Sequence, residues 1–197
     1  MTTSMKTKWI VKVGMLSAVA FLLQLLELPL GIFPAFLQID FSDVPALLAG
    51  FSLGPAAGVA VELIKNLLHL VLKNSGTGGV GELANFLIGS AMVIPAAMIY
   101  KRKHSRRTAI YGLIAGTLVL ALVGVLANLY LLIPFYANAF GMPVEAIVSM
   151  GTAVNSAITD LTTLVLYSIV PFNLLKGLLI SIVTVLIYKR LSPVLHK

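Results

Sequence analysis

The sequence predicts an all-α integral membrane protein: one domain over residues 1–197, a bundle of six transmembrane helices with both termini cytoplasmic. Three observations predict it. Of 197 residues, 59% are apolar and only 11% charged. Apolar blocks near residues 9–29, 81–100, 108–134 and 171–190 can each cross a bilayer, which takes ~20 residues. Basic residues gather in short patches between the blocks: Lys6, Lys8 and Lys12, then "KRKHSRR" at 101–107, then Lys189, Arg190 and Lys197. In lipid such blocks can only be helices, because every backbone polar group must be bonded within the segment.

Composition also narrows the chemistry. There is no cysteine, which excludes disulfides and thiolate metal sites. His69, His104 and His196 share no ligand spacing, so no metal site is expected. A net charge of +7 in a soluble chain would suggest nucleic acid. Here the patches follow the rule that cytoplasmic loops are basic, so no nucleic-acid partner is expected.

The first block is too long for a cleaved signal, and no small-residue cleavage site is followed by a polar mature domain. It reads as the first span. Gly14 and Ala18 lie four apart on it with Ser17 beside them. Small residues at this spacing let another helix approach closely, either inside the bundle or on a partner. Residues 43–73 are harder. One helix there would be about 46 Å long, against about 30 Å of hydrocarbon, and would put "KRKHSRR" outside. Gly54-Pro55 offers a break, since proline cannot continue a helix and restricts the residue before it. The split predicts a short second helix over 43–53 and a third over 55–73. All three basic patches then fall inside. The fourth and fifth helices follow. Residues 143–168 carry Glu145, Asn155, Asp160 and many hydroxyls. They read as part of an external segment, 135–170, before a sixth helix starting near 171.

Costly polar residues concentrate at the outer ends of these helices: Asp40, Asp43, Lys65, Asn66, His69, Glu82, Asn85, Asn128, Asn173 and Lys176. Polar groups at membrane depth usually face the protein interior and mark a site. One outward-opening polar pocket is the economical reading. Ser42 or Asp43 can cap the second helix, while Asp40 is free to contact a ligand or order the loop. Glu62 and Lys65, three apart, can pair, and Lys65 can also snorkel to the interface. Asn173 and Lys176 are likewise three apart, so they stand one above the other on one face. With Asn128 they offer several hydrogen-bond donors and acceptors, which suit a flat, heteroatom-rich ligand. The "GTGGVGELANF" loop (76–86) lacks the Lys-Ser/Thr ending of a nucleotide-binding loop.

Taken together, "MLSAVAFLL", "DFSDVPALLAGFSLGPAAG", "IKNLL", "ANFLIG" and "PFNLLKG", in that order, resemble the S-components of energy-coupling factor (ECF) vitamin transporters. "PFNLLKG" with Asn128 resembles the riboflavin-binding members in particular. The resemblance covers nearly the whole chain and implies a substrate-binding subunit of the bacterial cell membrane. Its ligand would be riboflavin, as cargo and not as a cofactor. Its partners would be a transmembrane coupling subunit and two cytoplasmic ATPases. The resemblance carries ligand contact onto the loop around Asp40 and onto Asn85, Asn128, Asn173 and Lys176. It carries the coupling surface onto Gly14 and Ala18. An isoalloxazine ring needs an apolar slot with few directed bonds. Leu37, Ile39, Phe41 and Tyr130 are the expected walls. Asn128, Asn173 and Lys176 are the expected readers of the ring's imide edge. Asp40 and Asn85 are expected to meet the ribityl hydroxyls. The same architecture would serve another flat vitamin, of pterin or thiamine type. A catalytic reading is poor: an intramembrane serine dyad could draw on Gly89-Ser90 and His69, but "IGSAMV" lacks the glycine expected after the serine.

Overall fold

A computed structural model of the chain describes residues 3–73 and 75–195. In chain order the elements are α1 (Thr3–Gln24), β1 (Leu28–Pro29), β2 (Gln38–Ile39), α2 (Asp43–Leu53), α3 (Pro55–Leu72) and α4 (Val80–Arg102). Then come α5 (Arg106–Ala127), α6 (Ile133–Ala139), α7 (Val144–Thr152), α8 (Leu161–Leu164) and α9 (Val170–Leu195). Single π-helical turns, Asn128–Leu132 and Val165–Ile169, join α5 to α6 and α8 to α9. Two long helices result, Arg106–Ala139 and one starting at Leu161. Among the described residues five helices are long and apolar enough to cross a membrane.

The short helix predicted over 43–53 is α2, and the break falls at Gly54-Pro55 as expected. Gly54 takes φ +99, a conformation that L side chains rarely adopt, and Pro55 opens α3. At 11 residues α2 spans about 16 Å and cannot cross alone. Val44 to Phe51 are all buried, as expected for a helix that is apolar all round. The other long helices surround it, and the main core joins Leu47 and Leu48 of α2 to Val61, Met92, Val93, Leu120 and Ile180.

Against α4, α5 brings a Gly-x-x-x-Gly pair that the sequence reading passed over. A Cβ on Gly112 would lie 2.6 Å from the Ala96 carbonyl oxygen, and one on Gly116 2.6 Å from that of Met92. Both contacts are with backbone and cannot yield. This is the close approach that small residues permit between membrane helices.

Two boundaries differ from expectation. The last long helix begins at Leu161, ten residues before the start near 171 predicted for the sixth helix. Asp160 caps it, accepting the Thr163 N–H, while Thr163 Oγ1 accepts the Asp160 N–H. Hydroxyl-rich residues that looked unsuited to lipid are therefore a helix start. The long helix that starts at Arg106 runs to Ala139, so the connection shrinks to 140–160, with α7 inside it. Each π turn ends two residues before a proline, Pro134 or Pro171. A proline ring removes one N–H and crowds the carbonyl four residues earlier. A locally widened turn is one way a helix continues through that crowding.

The first helix ends at Gln24, and residues 28–39 form a small hairpin in which Leu28 pairs with Ile39. Phe33 at its tip packs edge-on against Phe172, ring centroids 5.4 Å apart. Leu37 and Ile39 join Ile147, Val148 and Ile158 from the 140–160 connection in a second apolar cluster. The α1–α2 loop is thus clamped between α9 and α7.

Gly116→Leu should lower the thermal midpoint of the detergent-purified protein, by an amount equivalent to about 1–3 kcal/mol for overpacking. Leu118→Ala, on the exposed side of the same helix, should leave the midpoint nearly unchanged in the same melting experiment.

Candidate functional site

A cavity of about 440 Å³ lies where α3 ends, α4 begins and the hairpin loop closes over α9. That volume is in the range of small-molecule sites. Its polar lining includes Asp40, Asn85, Asn128, Asn173 and Lys176, and Leu37 contributes an apolar wall. Of the nine ligand residues expected from sequence, these six are brought together.

The other three are not. Ile39 is buried in the cluster beneath the hairpin, away from the cavity. Phe41 is 38% exposed and Tyr130 is 77% exposed, and neither is among the cavity's lining residues. Helical spacing sets the facing: Asn128 is buried at the cavity while Tyr130, two residues on and so on the opposite side of the helix, points outward. The apolar walls come instead from Phe36, Ala84, Ile88, Leu132, Tyr136 and Phe172. Their signal in the sequence is weak, because one aromatic among many in a lipid-facing helix looks like any other.

The charged floor is built by helices that cross beside one another. Lys65, fully buried on α3, bonds Asp43 and Ser42 (2.7 Å to Oγ) and lies 2.8 Å from Glu62 Oε2. Lys176 on α9 lies 3.0 Å from Asp40 Oδ2 and 3.7 Å from Asp43 Oδ2. Three carboxylates and two ammonium groups thus form one connected network. Taking any of these charges out of water costs several kcal/mol unless it is paired, so the pairs exist because the burial does.

Of the two aspartates, Asp43 departs from its expected capping role, and Asp40 takes the loop-ordering one of its two expected roles. Asp43 is in the first turn of α2 and makes no cap hydrogen bond; it bridges the two lysines. Asp40, expected as a ligand contact or loop organiser, accepts the Ser42 N–H at 2.8 Å on Oδ1 and Lys176 on Oδ2. Both its oxygens are engaged within the chain. Burial alone would raise the Asp40 carboxyl, but Lys176, then Lys65 and Ser42, outweigh it and hold it well below the usual carboxylate range. The Glu62–Lys65 pair expected from spacing is present, and Lys65 does not snorkel: its side chain is 0% exposed.

Asn173 and Lys176 sit more than three turns into the helix that starts at Leu161, deeper than the entrance position expected for them. Asn173 Nδ2 donates to the Ile169 carbonyl and Asn128 Nδ2 donates to that of Gly124, both at 2.8 Å. Each amide gives one N–H to its own helix, which leaves the carboxamide oxygen and the second N–H for the cavity. Gly124 makes this possible. A Cβ there would lie 2.7 Å from Asn173 Cγ and Oδ1, so only glycine leaves room for that amide. The sequence reading missed Gly124; its signal is a glycine one helical turn before a buried asparagine.

A second polar group forms the rim. Glu82 on α4 accepts from the Ser75 N–H at 3.1 Å and lies 3.0 Å from His69 Nδ1. Glu27, just after α1, pairs with Lys73 at 2.7 Å. The glycine-rich loop is therefore tied to α3 and α4. His69 is engaged with Glu82, eight residues before Ser90 on α4 and so about 12 Å away along the axis, and no His69–Ser90 bond occurs among the described residues. On α1, Gly14 and Ala18 face outward, with no atom within 4 Å of a Cβ built on Gly14. Ser17 faces the other way: it is buried and donates to the Val13 carbonyl at 2.8 Å. The small-residue pair is thus an open outer surface, and Ser17 belongs to the core and not to that surface.

A membrane helix bundle with one amphipathic cavity near its end is the architecture of a substrate-capturing transport subunit. The profile of the family described as "ECF transporter, substrate-specific component" matches residues 8–188, and the chain belongs to that family. It is 38% identical over 192 residues to the riboflavin transporter RibU of Staphylococcus aureus (strain TCH60), covering 98% of this chain and 94% of that one. The riboflavin transporter FmnP of Bacillus subtilis (strain 168) is also 38% identical, over 96% of this chain and 94% of its own. The solved structure of the S component of a bacterial ECF transporter superposes with a TM-score of 0.76 at 38% identity, covering 98% of this chain and 99% of that chain. The chain is a multi-pass bacterial membrane protein.

Two outcomes test the network. Lys65→Met, which strands Asp43 and Glu62 without their shared cation, should destabilise by about 3–5 kcal/mol, read as a large fall in thermal midpoint. Asp40 has its folded value depressed, so its stabilisation is present in full above the ordinary carboxylate value and is lost as pH falls through the folded value. The stability difference between wild type and Asp40→Asn should therefore be constant from pH 5 to 8 and shrink below about pH 4. Chemical-denaturation curves across that range read it out.

Proposed function

We propose that this chain captures riboflavin at the outer face of the membrane and delivers it inward as the substrate-binding subunit of an ECF transporter. The observation that carries this reading is the asparagine–asparagine–lysine set of the cavity, in a chain whose near full-length relatives are riboflavin transporters. A riboflavin imide edge has one N–H between two carbonyls. The oxygens of Asn128 and Asn173 would accept the N–H and orient the ring, and Lys176 would donate to a carbonyl. Phe36, Leu37 and Phe172 would sandwich the apolar rings. Asn85, whose Oδ1 is buried without a hydrogen-bond partner, would meet the ribityl hydroxyls. We assign Asp40 to holding Lys176 in place, because both its oxygens are already engaged.

Six membrane crossings follow when α2 is counted as one of them. Both termini are then cytoplasmic, with the patch at 101–107 on the same side, and the cavity opens outward. The chain carries no nucleotide-binding motif, so energy for release has to come from partners: a transmembrane coupling subunit and two cytoplasmic ATPases. Gly14 and Ala18 on the open face of α1 are the surface for the coupling subunit. Riboflavin is the cargo, and no cofactor enters the reading.

Riboflavin fluorescence is quenched on burial, so a titration measures the site directly. Wild type should quench added riboflavin, and Asn173→Ala and Lys176→Ala should each weaken binding at least tenfold, roughly 1.4 kcal/mol. Unchanged affinity in both variants would overturn the assignment. Gly14→Leu and Ala18→Leu should bind riboflavin like wild type and abolish its uptake in cells carrying the complete transporter; lost binding would instead make this face a packing surface of the chain itself.

A further inference from the structure

At the end of the bundle away from the cavity, α4 and α5 are joined through Lys101, Arg102, Lys103, Arg106 and Arg107, all exposed. The chain's seven carboxylates are Glu27, Asp40, Asp43, Glu62, Glu82, Glu145 and Asp160, and none of them falls near this run in sequence. Among the described residues, none of these five cations takes part in an ion pair. They form a strong positive patch with no ion-pair partner among the described residues.

Beside it, between α5 and α9, runs a groove of about 380 Å³. Ile110, Ile114 and Leu118 form one wall and Leu178, Ile182 and Leu186 the other. Its two hydroxyls, Thr117 Oγ1 and Ser181 Oγ, lie 3.4 Å apart and satisfy each other, so the surface offered is hydrocarbon. On α5 the groove residues recur at three- and four-residue steps, one helical stripe. Continued one turn toward the helix start, that stripe meets Arg106 and Arg107, about 6 Å from Ile110 along the axis. Two cations of the patch therefore stand one helical turn beyond the Ile110 end of the groove.

We propose that this groove and Arg106 and Arg107 together form a binding site for one anionic phospholipid, its phosphate on the two guanidinium groups and an acyl chain along the groove. From Ile110 to Leu118 the groove extends about 12 Å, most of the depth of one leaflet, which is half of about 30 Å. A partner helix would run through both leaflets; a lipid chain ends where the groove does. Guanidinium binds phosphate in a bidentate fork, and basic pockets between membrane helices hold anionic headgroups. The site is independent of the vitamin cavity.

Full-length protein reconstituted in nanodiscs of equal phosphatidylglycerol and phosphatidylcholine, then extracted and examined by native mass spectrometry, tests it. Wild type should retain phosphatidylglycerol over phosphatidylcholine at least fivefold. Arg106→Gln/Arg107→Gln should reduce that preference to twofold or less. Ile114→Trp, which obstructs the groove and keeps the arginines, should cut total retained lipid at least threefold. Thermal melts in phosphatidylcholine alone check that both variants fold. No headgroup preference in wild type overturns the proposal, as does a preference that survives loss of both arginines. Undiminished retention in Ile114→Trp overturns it too, by showing a surface charge effect without a chain site; if that variant instead loses the coupling subunit on co-purification, the groove belongs to a protein helix.

Discussion

Lys65 sits at the crossing of three constraints. It lies on α3, is shielded from water, and takes its hydrogen bonds from Ser42 and Asp43 at the start of α2. A lone ammonium at that depth would be too costly to keep. Its presence therefore requires Asp43, which fixes where α2 begins and how it is turned against α3. Asp43 in turn faces Lys176, and Lys176 is held by Asp40 from the loop above. Loop, short helix and last helix are thus locked by one shared network of buried charges. The cavity is the space above this floor, so its shape is inherited from the pairing.

The cavity's polar readers depend on a different device. Two asparagines occupy helices that would otherwise be apolar, and each turns its amide nitrogen onto a carbonyl of its own helix. One N–H is satisfied locally, and the oxygen and the second N–H are left for the cavity. Nearby π turns, each ending just before a proline, rotate the following residues relative to a regular helix. Asn128 is buried and Tyr130, two residues on, faces out. Gly124 removes the one side-chain atom that would displace Asn173. None of these features is expensive by itself; together they place two acceptors and one cation around a slot of hydrocarbon.

The loop over the slot is held more firmly than its length suggests. A two-residue strand pair, an aromatic contact between Phe33 and Phe172, and the α7 side of the 140–160 connection all press on it. Residues in that connection therefore shape the closed site without lining it. Opening toward the outside would have to break this apolar cluster and the Asp40–Lys176 pair, which are formed by neighbouring residues of one loop. The covering segment and the cation beneath it are coupled by construction.

Much was legible in the sequence. Apolar run length gives the helices, because lipid allows no other structure. Gly54-Pro55 gives the break that makes α2, because a glycine with positive φ followed by a proline cannot sit inside a helix. Charge scarcity made Asn128, Asn173 and Lys176 conspicuous, since each is costly in an apolar helix. What the sequence could not decide was direction. Asp40 and Asp43 are alike in one dimension, and only the packing of α3 and α9 shows that one holds the loop while the other bridges two lysines. Tyr130 and Leu132 are both reasonable walls by composition; which of them faces inward follows from which side of the helix carries Asn128 to the cavity. Gly14, Ser17 and Ala18 form one motif in sequence, yet the helix turns the serine into the core and the other two outward. Composition and spacing depend on each residue's own cost in lipid, so they are determined locally. Facing and pairing depend on what lies opposite, and that exists only once the helices have packed.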